Sequence, residues 1–412
     1  MASPRTSATA YEPSLPAIAG WADELEALHA RIAPRIAPRF ARAEPRRRAL
    51  AYLKGLLSSA ERKNGWQLAE EAGEATPDGM QRLLNASRWD ADGARDDLVA
   101  YVREHLADPA ALLVMDETGF LKKGTKSAGV KRQYSGTAGK RENCQIGVFV
   151  AYSSWVPAPT QVLVDRELYL PAEWANDRGR REEAGVPENV AFATKPELAR
   201  RMLARVRATG LPAAWLTGDT IYGGHPALRT WLEEQRQPYV LAVAANDGVD
   251  LPSGDTTLHV LPKEIAEYAL EPPDWRRLSA GDGAKGPRLD DWALVPLAAP
   301  SVAGFEQALL IRRPLDAPDD LEQLAYYLTF APVGTLFETL VAGRRWTVEE
   351  SLEAAKGEVG LDHYEVRHYH GWYRHMTLAL LAVAYLAVVR SRVPGAALKG
   401  GRSWRNWPNT AS

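Results

Sequence analysis

A single cysteine, Cys144, leaves this chain unable to form an internal disulfide, so packing alone must hold the fold. A reducing compartment suits such a chain. The first ten residues, Met-Ala-Ser-Pro-Arg-Thr-Ser-Ala-Thr-Ala, lack the apolar run that a secretory signal carries after its basic residues. The chain is therefore expected to stay in the cytoplasm. No apolar stretch reaches the roughly 20 residues that span a bilayer. The longest, Met376 to Val389, is expected to be a buried helix, with no membrane partner. Acids are also scarce in three places. Arg31 to Arg48 holds seven arginines, at 31, 35, 39, 42, 46, 47 and 48, against Glu44 alone. Thr118 to Arg141 holds Lys122, Lys123, Lys126, Lys131, Arg132, Lys140 and Arg141 with no acid, and Arg390 to Ser412 holds five bases with none. The formal net charge of -2 therefore conceals segregated basic segments, interleaved at the C-terminus with Trp404 and Trp407, which point to a nucleic-acid partner.

What is present is a globular composition, 46% apolar and 25% charged, over 412 residues, enough for two or three structural units. Up to Pro109 the apolar residues recur at helical spacing, as in Leu50, Leu53, Leu56 and Leu57, predicting an all-helical unit. Within it, Asn64 to Gly73 and Thr76 to Leu84 outline a helix-turn-helix or an ordinary helical hairpin. Trp66, inside this outline, is expected to anchor a core, with a wedge into DNA as the alternative. Beyond Pro109 come short apolar runs that predict strands: Ala111 to Met115, Cys144 to Tyr152, Thr160 to Val164, Ala214 to Thr217 and Tyr239 to Ala244. Amphipathic helices over Lys195 to Val206 and Pro226 to Glu234 separate the later strands. Gly/Pro/Asp punctuation from about Ala245 to Pro332 suggests an inserted β-rich subdomain, and helical pattern resumes from Thr335 through Lys356. The order β-β-β-α-β-α-β followed by a helix is that of a ribonuclease H-like core, an α/β fold with a mixed sheet flanked by helices.

Three carboxylates occupy chemically useful positions in that order. Asp116 is expected to close the first strand and Asp219 the fourth, so that parallel neighbours would set both at one sheet edge. Either could instead cap the following turn. On the later helix Glu349, Glu353 and Lys356 fall on one face, with Glu350 turned away by roughly 100°. Three carboxylates around two Mg²⁺ or Mn²⁺ ions can activate a water or a 3′-hydroxyl and stabilise the leaving oxygen of a phosphodiester. His363, His368, His370 and His375 lack zinc-ligand spacing and are expected to serve local hydrogen bonds or to approach DNA. Cys144, on a buried strand, has no base partner in sequence.

The segments Val114-Met-Asp-Glu-Thr-Gly-Phe-Leu-Lys-Lys-Gly-Thr-Lys126, Arg132-Gln-Tyr-Ser-Gly136, Glu142-Asn-Cys-Gln-Ile-Gly147, Gly218-Asp-Thr-Ile-Tyr-Gly223 and Lys356-Gly-Glu-Val-Gly-Leu-Asp-His-Tyr-Glu-Val-Arg367 resemble bacterial insertion-sequence transposases of the DDE superfamily, family 701. So do Glu44 to Leu53 and Glu61 to Gln67. The resemblance implies Asp116 and Asp219 as the first two catalytic and metal-binding acids. Arg345, Glu349 and Lys356 fit the Tyr-x2-Arg-x3-Glu-x6-Lys pattern that carries the third acid in related enzymes, with Ala342 where the tyrosine stands. Glu350 and Glu365 compete with Glu349 for that role. Related enzymes also stack a tryptophan of a β-rich insertion on a flipped base, for which Trp275 and Trp292 are candidates, each with a buried core role as the alternative.

The expected organisation is a helical DNA-binding domain with a disordered N-terminal arm over 1–109, a catalytic core over 110–245 and 333–395, a β-rich insertion over 246–332, and a basic flexible tail over 396–412. Arg345, Lys356, Lys122, Lys123, Lys126, Arg46, Arg47 and Arg48 are the expected DNA contacts. The implied activity is cut-and-paste transposition: binding of terminal inverted repeats, metal-dependent cleavage of double-stranded DNA and strand transfer to target DNA. A homodimer or larger synaptic complex in the bacterial cytoplasm, on the nucleoid, is implied with it. The alternative is a transposase-derived DNA-binding regulator or end-binding protein without catalysis, and a structure-selective repair nuclease is a third possibility.

Overall fold

A computed structural model describes residues 21–392 except 284–285, 319 and 344–346, and within its elements it leaves several side chains undescribed, including those of 342–350. The N-terminal arm, the basic tail and Arg345 lie outside the described residues, as do the side chains of Ala342, Glu349 and Glu350.

Five helices come first: α1 (Trp21–Ile36), α2 (Ala43–Leu56), α3 (Gly65–Glu71), α4 (Asp78–Asn85) and α5 (Ala91–Leu106). Leu50, Leu53, Leu56 and Leu57 are all buried, as their spacing requires of a core-facing stripe. Asn64 caps α3, its side-chain oxygen accepting from the backbone N–H groups of Trp66 and Gln67, both at 3.1 Å. Trp66 departs from expectation. At the start of a short helix it points outward and is 57% exposed, leaving Leu68 and Ala69 to fill the core.

The sheet begins with β1 (Leu112–Leu121), β2 (Lys131–Ser135), β3 (Lys140–Ser154) and β4 (Thr160–Tyr169). Helices α6 (Ala172–Ala175), α7 (Arg178–Ala184) and α8 (Lys195–Ala208) precede β5 (Trp215–Gly218), and α9 (Thr220–Gly223) and α10 (Pro226–Glu234) precede β6 (Tyr239–Val243). Their order across the sheet is β4-β3-β1-β5-β6, with β3 antiparallel to both β1 and β4 while β1, β5 and β6 run parallel. This is a ribonuclease H-like core. The hairpin strand β2 pairs the first five residues of β3, on the side where β4 pairs Ile146 to Ser154. Its polar sequence hid it from a search for apolar runs.

Beyond β6 lie β7 (Val249–Ser253), β8 (Thr256–Val260), α11 (Pro262–Tyr268), β9 (Arg276–Gly283), β10 (Gly286–Pro296), β11 (Phe305–Arg313) and β12 (Ala325–Pro332). Among the described residues only β7 and β8 form a sheet of their own, whereas β12 pairs antiparallel with β6 and β11, β10 and β9 follow outward. The β-rich segment thus continues the central sheet through backbone hydrogen bonds. The helical pattern after Thr335 is two elements, α12 (Phe337–Gly343) and α13 (Thr347–Val359), followed by α14 (Tyr369–Ser391). By length and composition α14 could cross a membrane, but 89% of its most apolar window is buried inside the protein. Helices cover both sheet faces. Trp372 of α14 lies against Phe149 on the Asp116 side, and α8 reaches Glu117 on the other.

Candidate active site

Strand register explains how two acids 103 positions apart meet. The parallel pairing of β1 with β5 runs from Leu112 opposite Trp215 to Met115 opposite Gly218, so Asp116 and Asp219 are the next residue of each strand. Asp219 leaves β5 there and caps α9, its Oδ1 accepting from the Ile221 N–H at 2.9 Å. Asp116 does not close its strand, as the sequence had suggested. Its antiparallel pairing with β3 carries β1 on to Leu121, and only the β5 side ends at this level. Asp116 therefore sits on a backbone held by β3 while its β5 side opens beside Asp219.

A third carboxylate, Glu117, joins them: one side-chain oxygen from each of Asp116, Glu117 and Asp219 lies within 4.8 Å of the others. Sequence reasoning passed over Glu117 because strand alternation turns it away from Asp116. Its side chain is held from the α8 side, accepting from the Lys195 ammonium at 2.6 Å and from the Tyr222 hydroxyl at 2.7 Å. Burial, followed by the charge of Glu117, pushes the Asp219 carboxyl up to about 6, opposed by the Ile221 and Tyr222 N–H groups and by Lys195. Crowded carboxylates that raise one another's proton affinity are stabilised by a divalent cation, and an all-oxygen donor set suits a hard ion such as Mg²⁺ or Mn²⁺.

Helix α13 reaches this cluster through Lys356, which donates to Thr118 Oγ1 at 2.7 Å, two residues along the same face of β1 from Asp116. Burial lowers the Lys356 ammonium's proton affinity, while Asp362, Glu353 and Asp116 raise it. Glu349 precedes Lys356 by seven residues, about two helical turns, and so falls on the same line along α13. Glu365 is exposed in the segment before α14, where it accepts from Asn64 at 3.4 Å.

The expected DNA-contacting cations differ in their surroundings. The Lys122 ammonium donates to the Tyr364 carbonyl at 3.1 Å, lies 3.5 Å over the Tyr364 ring, and is brought down to about 8 by burial. Lys123 is exposed, and Lys126 is exposed but paired with Glu183 at 2.6 Å. Arg46 and Arg47 face solvent, whereas Arg48 bridges Glu44 and Glu74. His363, His370 and His375 make hydrogen bonds to other described residues. His363 accepts from the Lys63 N–H, His370 meets the Asn85 carbonyl, and His375 lies between the Tyr52 hydroxyl and the Leu361 carbonyl. Trp292 is fully buried, and Arg313 lies 4.0 Å over the Trp275 ring. The thiol of Cys144, also buried, is pushed up by that burial.

A ribonuclease H-like sheet with two aspartates meeting where β1 and β5 part defines a metal-dependent nuclease core. Residues 35–253 match the model of the DDE superfamily endonucleases, and the chain belongs to that family. It is also 25% identical, over 78% of its own length and 77% of the relative's, to a probable transposase for insertion sequence element IS701 from Microchaete diplosiphon. This is a DDE-type insertion-sequence transposase.

Proposed function

We propose that this transposase binds the terminal inverted repeats of its element, cleaves the phosphodiesters at their ends and joins the freed 3′-hydroxyls to target DNA. The meeting of Asp116 and Asp219 at adjacent register positions is the observation that carries this. These two carboxylates, with Glu349 as the third acid, would hold two divalent ions, Mg²⁺ or Mn²⁺. The ions would supply Lewis-acid stabilisation to the attacking and leaving oxygens. Around them, Thr118 holds Lys356 beside Asp116, where its ammonium is placed to meet a phosphate oxygen of the bound strand. Lys195 and Tyr222 fix Glu117 against the acid pair, limiting its freedom to swing into the strand path. Helices α2 to α4, with Arg46 and Arg47 at the surface, would add salt-dependent affinity for the DNA backbone. Arg345 belongs to the same proposed set, and two copies would hold the two element ends.

The test is Asp116→Asn. It should bind duplexes carrying the DNA that flanks the coding region as the unaltered protein does, while divalent-dependent nicking falls by roughly three orders of magnitude or more. Undiminished cutting by this variant would overturn the assignment. Specific binding without any nicking by the unaltered protein would instead favour a non-catalytic regulator.

A further inference from the structure

The basic segment between Thr118 and Arg141 folds into the end of β1 and the β2–β3 hairpin, and its cations sort onto two faces. Opposite positions in the hairpin register are Arg132 with Asn143, Gln133 with Glu142, and Tyr134 with Arg141. Cross-strand partners project to the same side and neighbours along a strand to opposite sides. Arg132, Tyr134 and Arg141 therefore share a face. By the same alternation carried along β3 and β1, it is the face of Asp116 and Thr118. On the other side the cations are neutralised, Lys131 by Glu173 and Lys140 by Glu142. Neither Arg132 nor Arg141 has a carboxylate partner among the described residues, and both are exposed. Between them Tyr134 is 64% exposed, an aromatic ring left in solvent with a guanidinium on its own strand and another directly across.

We propose that this face of the hairpin is a second contact for duplex DNA, with Arg132 and Arg141 on backbone phosphates and Tyr134 packed against a sugar or base at the groove edge. The proposal rests on the transposase function above and adds a location to it. Arg141 lies eight residues along β3 from Phe149, the register partner of Asp116. At about 3.4 Å per residue that is roughly 27 Å, or some eight base pairs of a duplex lying along the strand. Between the two ends the face is covered by Tyr364, whose hydroxyl donates to Gln145 at 2.8 Å. The hairpin contact is therefore separate from the metal site. Unneutralised positive charge beside an exposed ring suits a polyanion that carries a flat ring with every phosphate better than an acidic peptide, whose carboxylates come without one.

The experiment compares the full chain with Arg132→Ala/Arg141→Ala, Tyr134→Ala and Tyr134→Phe, on duplexes of about 40 base pairs from either side of the coding region. Binding is followed by anisotropy across salt concentrations, and contacts by hydroxyl-radical footprinting. The double arginine variant should bind about tenfold more weakly, with a salt slope reduced by about two, and lose protection near eight base pairs from the nick. Tyr134→Ala should weaken binding severalfold and Tyr134→Phe hardly at all. Nicking at saturating protein should stay at the unaltered level in all three, and their exposed positions predict unchanged melting. Unaltered affinity, slope and footprint in the arginine variant would overturn this contact while leaving the transposase function standing. Failure of the unaltered protein to bind either flanking duplex would overturn both.

Discussion

Lys63 ties the N-terminal helices to the helix bearing Lys356. Only 5% exposed, its ammonium donates to the carbonyls of Leu56 at 2.5 Å and Ser58 at 2.9 Å, beside the end of α2, and of Glu358 at 2.6 Å, near the end of α13. A cation at two helix C-termini is favoured by both dipoles and meets carbonyls left without partners inside their own helices. Lys63→Met keeps the apolar stem and removes the charge. Three charge-assisted hydrogen bonds at about 1.5–3 kcal/mol each would be lost, against several kcal/mol recovered because an ammonium is no longer buried. The expected net loss is about 3 kcal/mol, concentrated at the α13 end of the contact. Hydrogen exchange read by mass spectrometry tests this locally: α13 amides that exchange through local opening should do so roughly 150-fold faster, since each 1.4 kcal/mol is a factor of ten. Cleavage should fall with it, because Lys356 lies two residues from the anchored carbonyl. Exchange across 347–359 within about threefold of the unaltered protein would show that Lys63 does not anchor this helix.

Two further outcomes follow from buried contacts. His375 is fully buried and held neutral, its ring driven down to about 3 by burial, whereas in the unfolded chain it titrates near 6.5. The unfolded state therefore binds more protons below 6.5, and stability present at neutral pH is lost as pH falls, by about 2 kcal/mol at pH 5. Urea midpoints at pH 7 and pH 5 measure it, and a His375→Gln variant with the same pH dependence would remove this residue as its source. Gly223 of α9 faces β6 so closely that a Cβ there would lie 1.8 Å from the Ala242 carbonyl oxygen. Gly223→Ala should cost about 3 kcal/mol and displace the turn that carries Asp219, reducing divalent-dependent nicking; normal melting and nicking would contradict that packing.

The helical spacing at Leu50 to Leu57 and the apolar runs of β3, β5 and β6 were legible because periodicity and continuous hydrophobicity report burial directly. The strand β2 and the second half of β1 were not, because Glu117, Thr118, Arg132 and Tyr134 are polar or exposed and owe their strand conformation to pairing with β3. The same limit applied to the extended sheet. Composition pointed to a β-rich insertion, but only the register of β12 on β6 joined its outer strands to the core. Within the candidate site, Asp116 and Asp219 were visible as acids following apolar strands. Glu117 was hidden by its own adjacency to Asp116, and the inward turn of Lys122 onto Tyr364 was hidden because a lysine in a basic segment reads as solvated.

By itself the sequence determined most helices, the apolar strands with their buried residues, the two aspartates that follow such strands and the resemblance to a transposase family, because these follow from local chemistry and pattern. Tertiary structure alone decided that Asp116 stands in the middle of its strand, that Glu117 completes the acid cluster under the hold of Lys195 and Tyr222, and which cations of the β2–β3 hairpin lack a carboxylate partner among the described residues. Those outcomes depend on strand register and on partners 78 and 105 residues away for Glu117. Contacts so distant in the chain leave no periodic trace in it, since each is made by the sheet and the helices packed on it.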